Sequence, residues 1–339
     1  MRQLALRLAA LAMAGLLCAA PAAAGVRWPA DARTLGEVSD LLRHLVAVAP
    51  TAGVNGETVH STADLQRFYR MRDYAPAWIE EAGVTLQTAD VLERLRRAWI
   101  EGLNPARYHP DAIEALVSGA EDVVQLAQLD LLLSDAFLSY ARDVREGRVP
   151  PQDVDPAWRI PMEPFDYPQA LADALPSRSA AAVLESMAPE HEGYRRLRVA
   201  LARYHAVERR GGWPVLLAGN KPLKLGMRDP RVPVLRTRFI MAGLLRDLPV
   251  ADELLFDEEL EKTVRHFQQL HGLEPDGVIG EGTRAVLNVP VRERIRSIVL
   301  NMERWRWLPR RLPARYAMVN MAGFELALYD GACPSAKCA

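Results

Sequence analysis

The stretch DEELEKTVRHFQQLHGLEPDGVIGEGTRAVLN, residues 257–288, decides the fold of the C-terminal half of the chain. Asp257 is a favourable N-cap, and the acidic residues after it complement the dipole of a helix. Apolar residues at helical spacing line one side of that helix, and Gly272 lies where a left-handed C-cap belongs. A turn at Pro275-Asp276-Gly277 leads into a short helix that carries Thr283. The pattern predicts two helices of a small bundle.

A helix upstream of this stretch completes the bundle. Asp229-Pro230 supplies an N-cap followed by a proline that a first helical turn tolerates. Val232, Leu235 and Phe239 then share one face. Pro233 fits that start poorly, so Pro233 is an alternative beginning for the helix. The sequence therefore predicts a three-helix bundle within residues 220–289.

Residues 30–213 form a separate helical region, because their apolar residues recur mostly at helical spacing and rarely alternate. The stripes of apolar residues are expected to face a core, since a single helix in water needs such a face to be stable. Paired glycines followed by a proline end the region at Gly211-Gly212-Trp213-Pro214. The clearest helices are predicted at Thr88–Ile100, Val123–Arg145 and Glu192–Arg209.

The pattern changes near the C-terminus. A helix is predicted from Arg292 to Pro309, and Trp305 and Trp307 at its end are either packing groups or sugar-stacking groups. Apolar alternation over 316–321 and 324–329 then predicts a β-hairpin. A lone hairpin is marginal in water, so these strands are expected to begin a larger sheet. The predicted fold class is mainly α, with a helical domain, a three-helix bundle and a short C-terminal β-hairpin.

The N-terminus has the features of a secretory signal. Arg2 and Arg7 supply positive charge, Leu8–Leu17 is apolar, and Pro21–Ala24 provides the small residues of an A-x-A cleavage site. A membrane span needs about 20 apolar residues, and this run is shorter. We therefore expect a signal over residues 1–24, a periplasmic location, and no stable membrane anchor after cleavage.

Composition excludes several classes of function. The formal net charge is -1, so the chain lacks the positive field that attracts nucleic acid, and no nucleic-acid partner is expected. After signal cleavage only Cys333 and Cys338 would remain, which are too few for a Cys-based zinc site. His266 and His271 are five positions apart and face different sides of their helix. We predict no metal site and no cofactor.

The bundle carries a spaced set of residues that resembles a known domain. Phe267-Gln268, His271-Gly272-Leu273, Asp276-Gly277 with Gly280, and Thr283 occur in this order. The set resembles the peptidoglycan-binding domain found in many cell-wall enzymes. The resemblance implies that residues 220–289 bind peptidoglycan.

Regions on both sides of the bundle resemble the large Gram-negative L,D-transpeptidases. Asn301–Pro309, with the sequence NMERWRWLP, is similar to the connector that leads into their catalytic domain. The resemblance implies a scaffold domain over residues 30–213, and a connector helix with the start of a catalytic domain over residues 290–330. The upstream segments similar to that scaffold domain are Phe68-Tyr69 with Tyr74, Pro76-Ala77-Trp78, Gly102–Pro105 with Tyr108, and Leu131–Ala136.

The resemblance transfers no catalytic residue. Those enzymes use a cysteine nucleophile in a His-Gly-Cys-x-Arg segment, and no His-Gly-Cys occurs in these residues. Cys333 precedes a proline and Cys338 precedes the last residue. The expectation is a catalytic domain truncated by a frameshift or an early stop, with residues 331–339 as an aberrant tail. A locus without a second reading frame for His-Gly-Cys would refute that hypothesis.

The expected function is therefore the peptidoglycan-binding and scaffold portion of an L,D-transpeptidase-type cell-wall protein. The alternatives are an active L,D-transpeptidase whose cysteine nucleophile lies outside these residues, and a lytic glycosidase. Arg236, Gln268 and Arg284 are the candidate contacts to the carboxylates and amides of stem peptides, with surface or capping roles as the alternative. The exact ligand, the protein partners and the oligomeric state stay open.

Overall fold

The computed structural model describes residues 32–320 and 325–330. The predicted signal, residues 1–24, and the tail, residues 331–339, lie outside this range. The described part is mainly α-helical, which confirms the predicted fold class. Its strands are β1 (Ile79–Glu80), β2 (Gly83–Val84), β3 (Arg315–Asn320) and β4 (Glu325–Asp330). Its α-helices are α1 (Ala32–Ala52), α2 (Thr62–Met71), α3 (Gln87–Arg96), α4 (Pro110–Gly119), α5 (Val123–Glu146), α6 (Pro151–Val154), α7 (Tyr167–Ala174), α8 (Ala180–Ser186), α9 (Glu192–Arg209), α10 (Val232–Ala242), α11 (Glu258–Leu270), α12 (Glu281–Leu287) and α13 (Val291–Arg306).

Helix boundaries follow local capping signals, with two corrections. The helix predicted at 88–100 is divided, because α3 ends at Arg96 and a 3₁₀ turn covers Ala98–Glu101 before the left-handed Gly102. The start of α10 lies at Val232, with a proline in its first turn. Asp229 does not cap α10, because its carboxylate accepts from the backbone N–H and the side chain of Arg231.

The first hydrophobic core, which we call the N-terminal helical core, lies among α1–α5, α7 and α8. The centre of this core is α5, whose buried face continues around much of the helix. Three buried aspartates of α5 hold neighbouring loops. Asp130 accepts from the backbone N–H of Trp78 at 2.7 Å, Asp135 from that of Ser61 at 2.7 Å, and Asp143 from the side chain of Arg107 at 2.8 Å. The strands β1 and β2, which the sequence did not predict, form a two-stranded antiparallel sheet.

The second core belongs to the bundle of α10, α11 and α12. Its centre contains Phe239, Leu260, Val264 and Phe267, and the rings of Phe239 and Phe267 meet edge to face. A backbone bridge between Leu223 and Ile279 ties the entry segment to the turn before α12. The three predicted helices thus surround one apolar centre.

The third core joins α9 to α13, so the last helix of the predicted 30–213 region packs chiefly on the connector helix. The start of α9 lies beside the end of α13, since His191 contacts the ring of Trp305 with centroids 5.4 Å apart. The end of α9 lies beside the start of α13, where Glu208 pairs with Arg292. The two helices are therefore antiparallel. They approach closely at Gly193, where an added Cβ would lie 2.1 Å from the Trp305 ring.

A buried ionic network attaches the α9–α13 pair to the N-terminal helical core. Glu101 is fully buried and lies 3.3 Å from the Arg94 guanidinium and 3.0 Å from that of Arg198. The Tyr194 hydroxyl donates to the same carboxylate at 2.8 Å. Arg306 of α13 donates to the Glu101 backbone carbonyl and, at 3.0 Å, to the Tyr194 hydroxyl. The connector helix is thus fixed at its C-terminal end.

The strands β3 and β4 pair antiparallel, with Tyr316 opposite Tyr329 and the two rings stacked 4.4 Å apart. Val319 and Leu328 are 64% and 77% exposed. This pairing confirms the predicted hairpin. Among the helices of residues 32–320, none has the length and apolarity needed to cross a bilayer.

Candidate functional site

Gln268 lies inside the bundle and holds the turn that leads to α12. Its side-chain amide donates to Asp276 Oδ1 at 2.7 Å, to the Val278 carbonyl at 3.0 Å and to Thr283 Oγ1 at 3.1 Å. Its carbonyl accepts from the Gly277 N–H at 2.9 Å, at a left-handed glycine with a φ of 75°. Gln268 is 1% exposed. The residues of the motif F-Q, D-G-x-x-G and T therefore form one hydrogen-bonded unit that builds the domain.

Arg236 is also engaged within the bundle. Its guanidinium donates to Asp257 Oδ2 at 2.5 Å and to the Leu255 carbonyl at 3.3 Å. Asp257 in turn accepts from the Leu260 N–H at 2.9 Å, so Arg236 holds the N-cap of α11. The side chain is 7% exposed, and its Nε has no hydrogen-bond partner in the described chain.

Arg284 differs from the other two candidate residues. It is half-buried on α12, and its guanidinium has no ion pair or hydrogen bond within residues 32–320 and 325–330. Arginine is a fork-shaped donor that matches a carboxylate in two parallel hydrogen bonds. Of the three predicted contacts, Arg284 is the one whose donors are available to a ligand.

Two further arginines reach the bundle from outside the motif. Arg238 donates to the Leu287 carbonyl at 3.1 Å, and Arg294 donates to the Val286 carbonyl at 2.9 Å. Both cations thus bond the last carbonyls of α12, where positive charge stabilises a helix. Burial lowers the pKa of Arg238 to about 10, and its guanidinium lies 3.4 Å from the Trp213 ring centroid. No local sequence pattern predicts these contacts, because they join separate elements.

His271, at the end of α11, is held in its neutral form. Burial, together with the charges of Arg294 and Arg238, lowers its pKa to about 4. Its ring packs on Phe267 with centroids 4.3 Å apart. The histidine of the H-G-L segment therefore acts as a packing group. Within the described residues, no group of three or more His, Cys, Asp and Glu side chains could hold a metal ion.

A cleft of about 390 Å³ lies where the bundle meets the α9–α13 pair. Its wall includes Trp213 and Asn288, the latter one helical turn beyond Arg284 on the same side of α12. The side-chain amide of Asn288 already has partners, because it accepts from the backbone N–H of Leu216 and donates to the carbonyl of Leu216. The exposed Arg292 also lines the cleft and is paired there with Glu208. The positive charge of Arg292 is therefore partly balanced, whereas Arg284 has no ion pair within the described residues.

The tryptophans of the connector are packing groups in this structure. Trp307 is 6% exposed, and its ring meets Trp158 with centroids 5.8 Å apart. Trp305 lies against His191 and Gly193 of α9. The Trp307 ring is therefore closed to a sugar, and the partly buried Trp305 ring is engaged by α9 where it faces His191 and Gly193.

Comparison with known families matches both helical units. Residues 63–201 match the model of the family described as Scaffold domain. Residues 228–287 match the model of a peptidoglycan binding domain. No curated protein matches the chain. The chain thus combines a scaffold domain with a peptidoglycan-binding domain, which supports a cell-wall binding role with peptidoglycan as the partner.

Proposed function

We propose that this chain is the peptidoglycan-binding and scaffold portion of an L,D-transpeptidase-type protein of the periplasm. The observation that carries the proposal is the match of residues 228–287 to a peptidoglycan binding domain, downstream of a Scaffold domain match at 63–201. The antiparallel α9–α13 pair joins the two units physically. This arrangement suits a protein that holds the cell wall in a fixed position relative to the scaffold.

Arg284 is the proposed contact to the ligand. Stem peptides of peptidoglycan carry carboxylates, and the Arg284 guanidinium offers free donors at the surface of α12. Arg236 and Gln268 support the site indirectly, because their bonds fix the start of α11 and the turn before α12. Substitution of Arg236 or Gln268 would change ligand binding indirectly, because it would distort the fold of the domain.

Sedimentation with purified insoluble peptidoglycan tests this role. The chain is expected to sediment, and Arg284→Gln is expected to weaken binding about fivefold, equivalent to about 1 kcal/mol. Arg246→Gln is the matched control. Arg246 is an exposed arginine of the same domain, and its substitution removes the same charge. A parent chain that stays in the supernatant at all protein concentrations would refute the binding role.

Muropeptide analysis of the same incubation separates binding from catalysis. A binding and scaffold protein leaves the pattern of digested fragments unchanged. New cross-links would instead assign L,D-transpeptidase activity, and released glycan fragments would assign a lytic activity. Location is tested separately, because N-terminal sequencing of protein from the periplasmic fraction should begin at Gly25 if cleavage follows Ala24.

A further inference from the structure

Three cavities that share Arg145 lie where the end of the connector meets the N-terminal helical core, and we call them together the cleft and each cavity an arm. One arm, of about 370 Å³, is charged and is lined by Arg145, Glu163, Glu190, Arg310 and Arg311. A second arm, of about 300 Å³, is largely apolar, and Arg145 lines it as well. A narrow space under Pro309 also shares Arg145. The guanidinium of Arg145 thus stands at the junction of the arms.

The arginines of the charged arm lack close carboxylate partners. Arg145 is 13% exposed, and its nearest carboxylate oxygen, on Glu163, is 4.0 Å away. This distance is too long for a hydrogen bond. Its guanidinium lies 4.3 Å from the centroid of the Phe165 ring, which supports the cation on one face only. The donors of Arg145 therefore remain available to an anion in the cleft.

Arg310 is held in place by backbone groups. It donates to the Met187 carbonyl at 2.5 Å and to the Ser186 carbonyl at 2.8 Å, which fixes the guanidinium at 18% exposure. The nearest carboxylate, on Glu190, is 4.0 Å away on a side chain that is 81% exposed. Burial, and then the charge of Arg145, lower the pKa of Arg310. Two cations are thus crowded together, and a bound anion would relieve their repulsion.

The apolar arm has room for small side chains. Phe165, Ala170, Ala174, Val183 and Met187 supply its apolar lining, and Asp173, Ser179 and Ser186 are the polar lining residues beside Arg145. A ligand that fills both arms must carry carboxylates close to methyl-sized apolar groups. A phosphate or an inorganic anion would occupy the charged arm alone.

We propose that this cleft is a second peptidoglycan contact, which binds the carboxylates and alanine methyl groups of a stem peptide through Arg145, Arg310 and Arg311. The inference rests on the proposed function, since peptidoglycan supplies the ligand. A short peptide of alanine, glutamate and a diamino acid combines both chemical features within a few residues. The bundle and the cleft would then contact the wall at two places, separated by α13.

Calorimetric titration of the full chain with a synthetic tripeptide, L-Ala-γ-D-Glu-meso-diaminopimelate, tests the proposal. The peptide is expected to bind, and its counterpart with amidated carboxyl groups is expected to bind at least tenfold more weakly. Arg145→Gln should weaken binding about tenfold or more, and the exposed Arg311→Gln about threefold, since partly buried charged bonds contribute more. Glu163→Gln should strengthen binding, because a competing carboxylate is removed.

The controls separate the cleft from the bundle. Arg296→Gln removes the same charge from an exposed site on α13 and should leave peptide affinity unchanged. Arg284→Gln should reduce sedimentation with peptidoglycan, and the tenfold loss of peptide affinity caused by Arg145→Gln should persist in the Arg284→Gln background, because the two sites are separate. Equal affinity of the parent and both cleft variants would overturn the inference. So would inorganic phosphate that binds as tightly as the tripeptide, or absence of peptide binding by a chain that still sediments with peptidoglycan.

Discussion

The N-terminal helical core and the bundle hold their loops with different chemistry. In the N-terminal helical core, the carboxylates of Asp130, Asp135 and Asp143 accept hydrogen bonds from loop residues, and all three are buried. In the bundle, the neutral amide of Gln268 does the same for the turn before α12. Bonds to carboxylates are stronger, but burial of a charge costs more than burial of an amide. The stability of the N-terminal helical core therefore depends on the pairing of its buried charges. The stability of the bundle depends on the fit of a neutral amide to its partners.

Two histidines show the same contrast. His109 lies between carboxylates, with Nδ1 2.7 Å from Glu57 Oε2 and Nε2 3.8 Å from Asp135 Oδ2. Burial works against its charge, but the charge of Asp135 and the hydrogen bond and charge of Glu57 outweigh burial and raise the pKa of His109. The charged neighbours of His271 in the bundle are the cations Arg294 and Arg238, and the pKa of His271 is lowered by burial and by these charges. Protonation stabilises one unit and destabilises the other.

The largest expected effect comes from breaking the buried charge balance at Glu101. Glu101→Gln removes a fully buried carboxylate and leaves the partly buried Arg94 and Arg198 without it, and we expect a loss of about 3 to 5 kcal/mol of unfolding free energy. Urea denaturation measures the change. Glu114→Gln removes an exposed carboxylate from the same part of the fold and should change the unfolding free energy far less than Glu101→Gln, because solvent screens the pair that Glu114 makes with Arg96. A loss below about 1 kcal/mol for Glu101→Gln would contradict the importance of charge there.

The bundle should respond to loss of an amide. Gln268→Ala removes four hydrogen bonds and leaves buried partners unsatisfied, so we expect a loss of about 2 to 3 kcal/mol confined to the bundle. Hydrogen exchange over 257–288 should accelerate, while exchange in α5 stays unchanged. The exposed Gln269→Ala is the control, with little effect expected. Faster exchange in α5 would show that the two units are not independent.

The histidines should give opposite pH dependences, and that of His271 should amount to about 1 to 2 kcal/mol after allowance for solvent screening. The folded pKa of His271, about 4, is below its ordinary value of 6.5, so its contribution is complete above pH 6.5 and is lost as the pH falls toward 4. His109 has a raised pKa, so its contribution is complete below pH 6.5 and is lost as the pH rises through that raised value.

Urea unfolding of the parent, His109→Asn and His271→Asn at several pH values checks these signs. Asparagine tolerates the left-handed backbone of His109, whose φ is 53°. The difference between the parent and each variant isolates one histidine from its neighbours, including His60, which stacks on His109 at 5.6 Å. Differences of the same sign for both histidines would remove the contrast between the units.

The smallest effect is expected where charge is exposed. Glu93→Gln breaks a pair with Arg97 on the surface of the N-terminal helical core, where both side chains are more than half exposed. Solvent and salt screen such pairs, so the loss should stay within about 0.5 kcal/mol. Thermal unfolding at low and high salt measures it. A loss comparable to that of Glu101→Gln would show that burial is not what distinguishes the two sites.

The parts of the fold that follow from sequence are those with local causes. The predicted bounds of α9 agree with the structure, and α5 was placed to within one residue, because Asp122 and Gly147 mark its ends. Pro275-Asp276-Gly277 predicts the turn before α12, and Gly277 has the left-handed backbone that glycine adopts readily. The boundary between the bundle and the upstream helices stays a prediction from the paired glycines and the proline at Gly211–Pro214.

The remaining features depend on contacts between distant segments. The helical spacing of α9 shows an apolar face but does not say that α13 covers it. Gln268 and Arg284 look equivalent as candidate polar contacts in the sequence, and only the fold buries one and leaves the other available. The cleft combines Arg145 with Arg310, and no local pattern predicts that the end of the connector returns to the end of α5.

The fixed end of α13 also sets a distance. A helix of 16 residues is about 24 Å long, and α13 runs without interruption from Val291, next to the bundle, to Arg306. Arg306 and the close contact at Gly193 prevent this helix from swinging against its neighbours. The helix therefore keeps whatever the bundle holds at a constant spacing from the C-terminal end of α13. Distance measurements between spin labels on α12 and at Arg304 should give one narrow distribution.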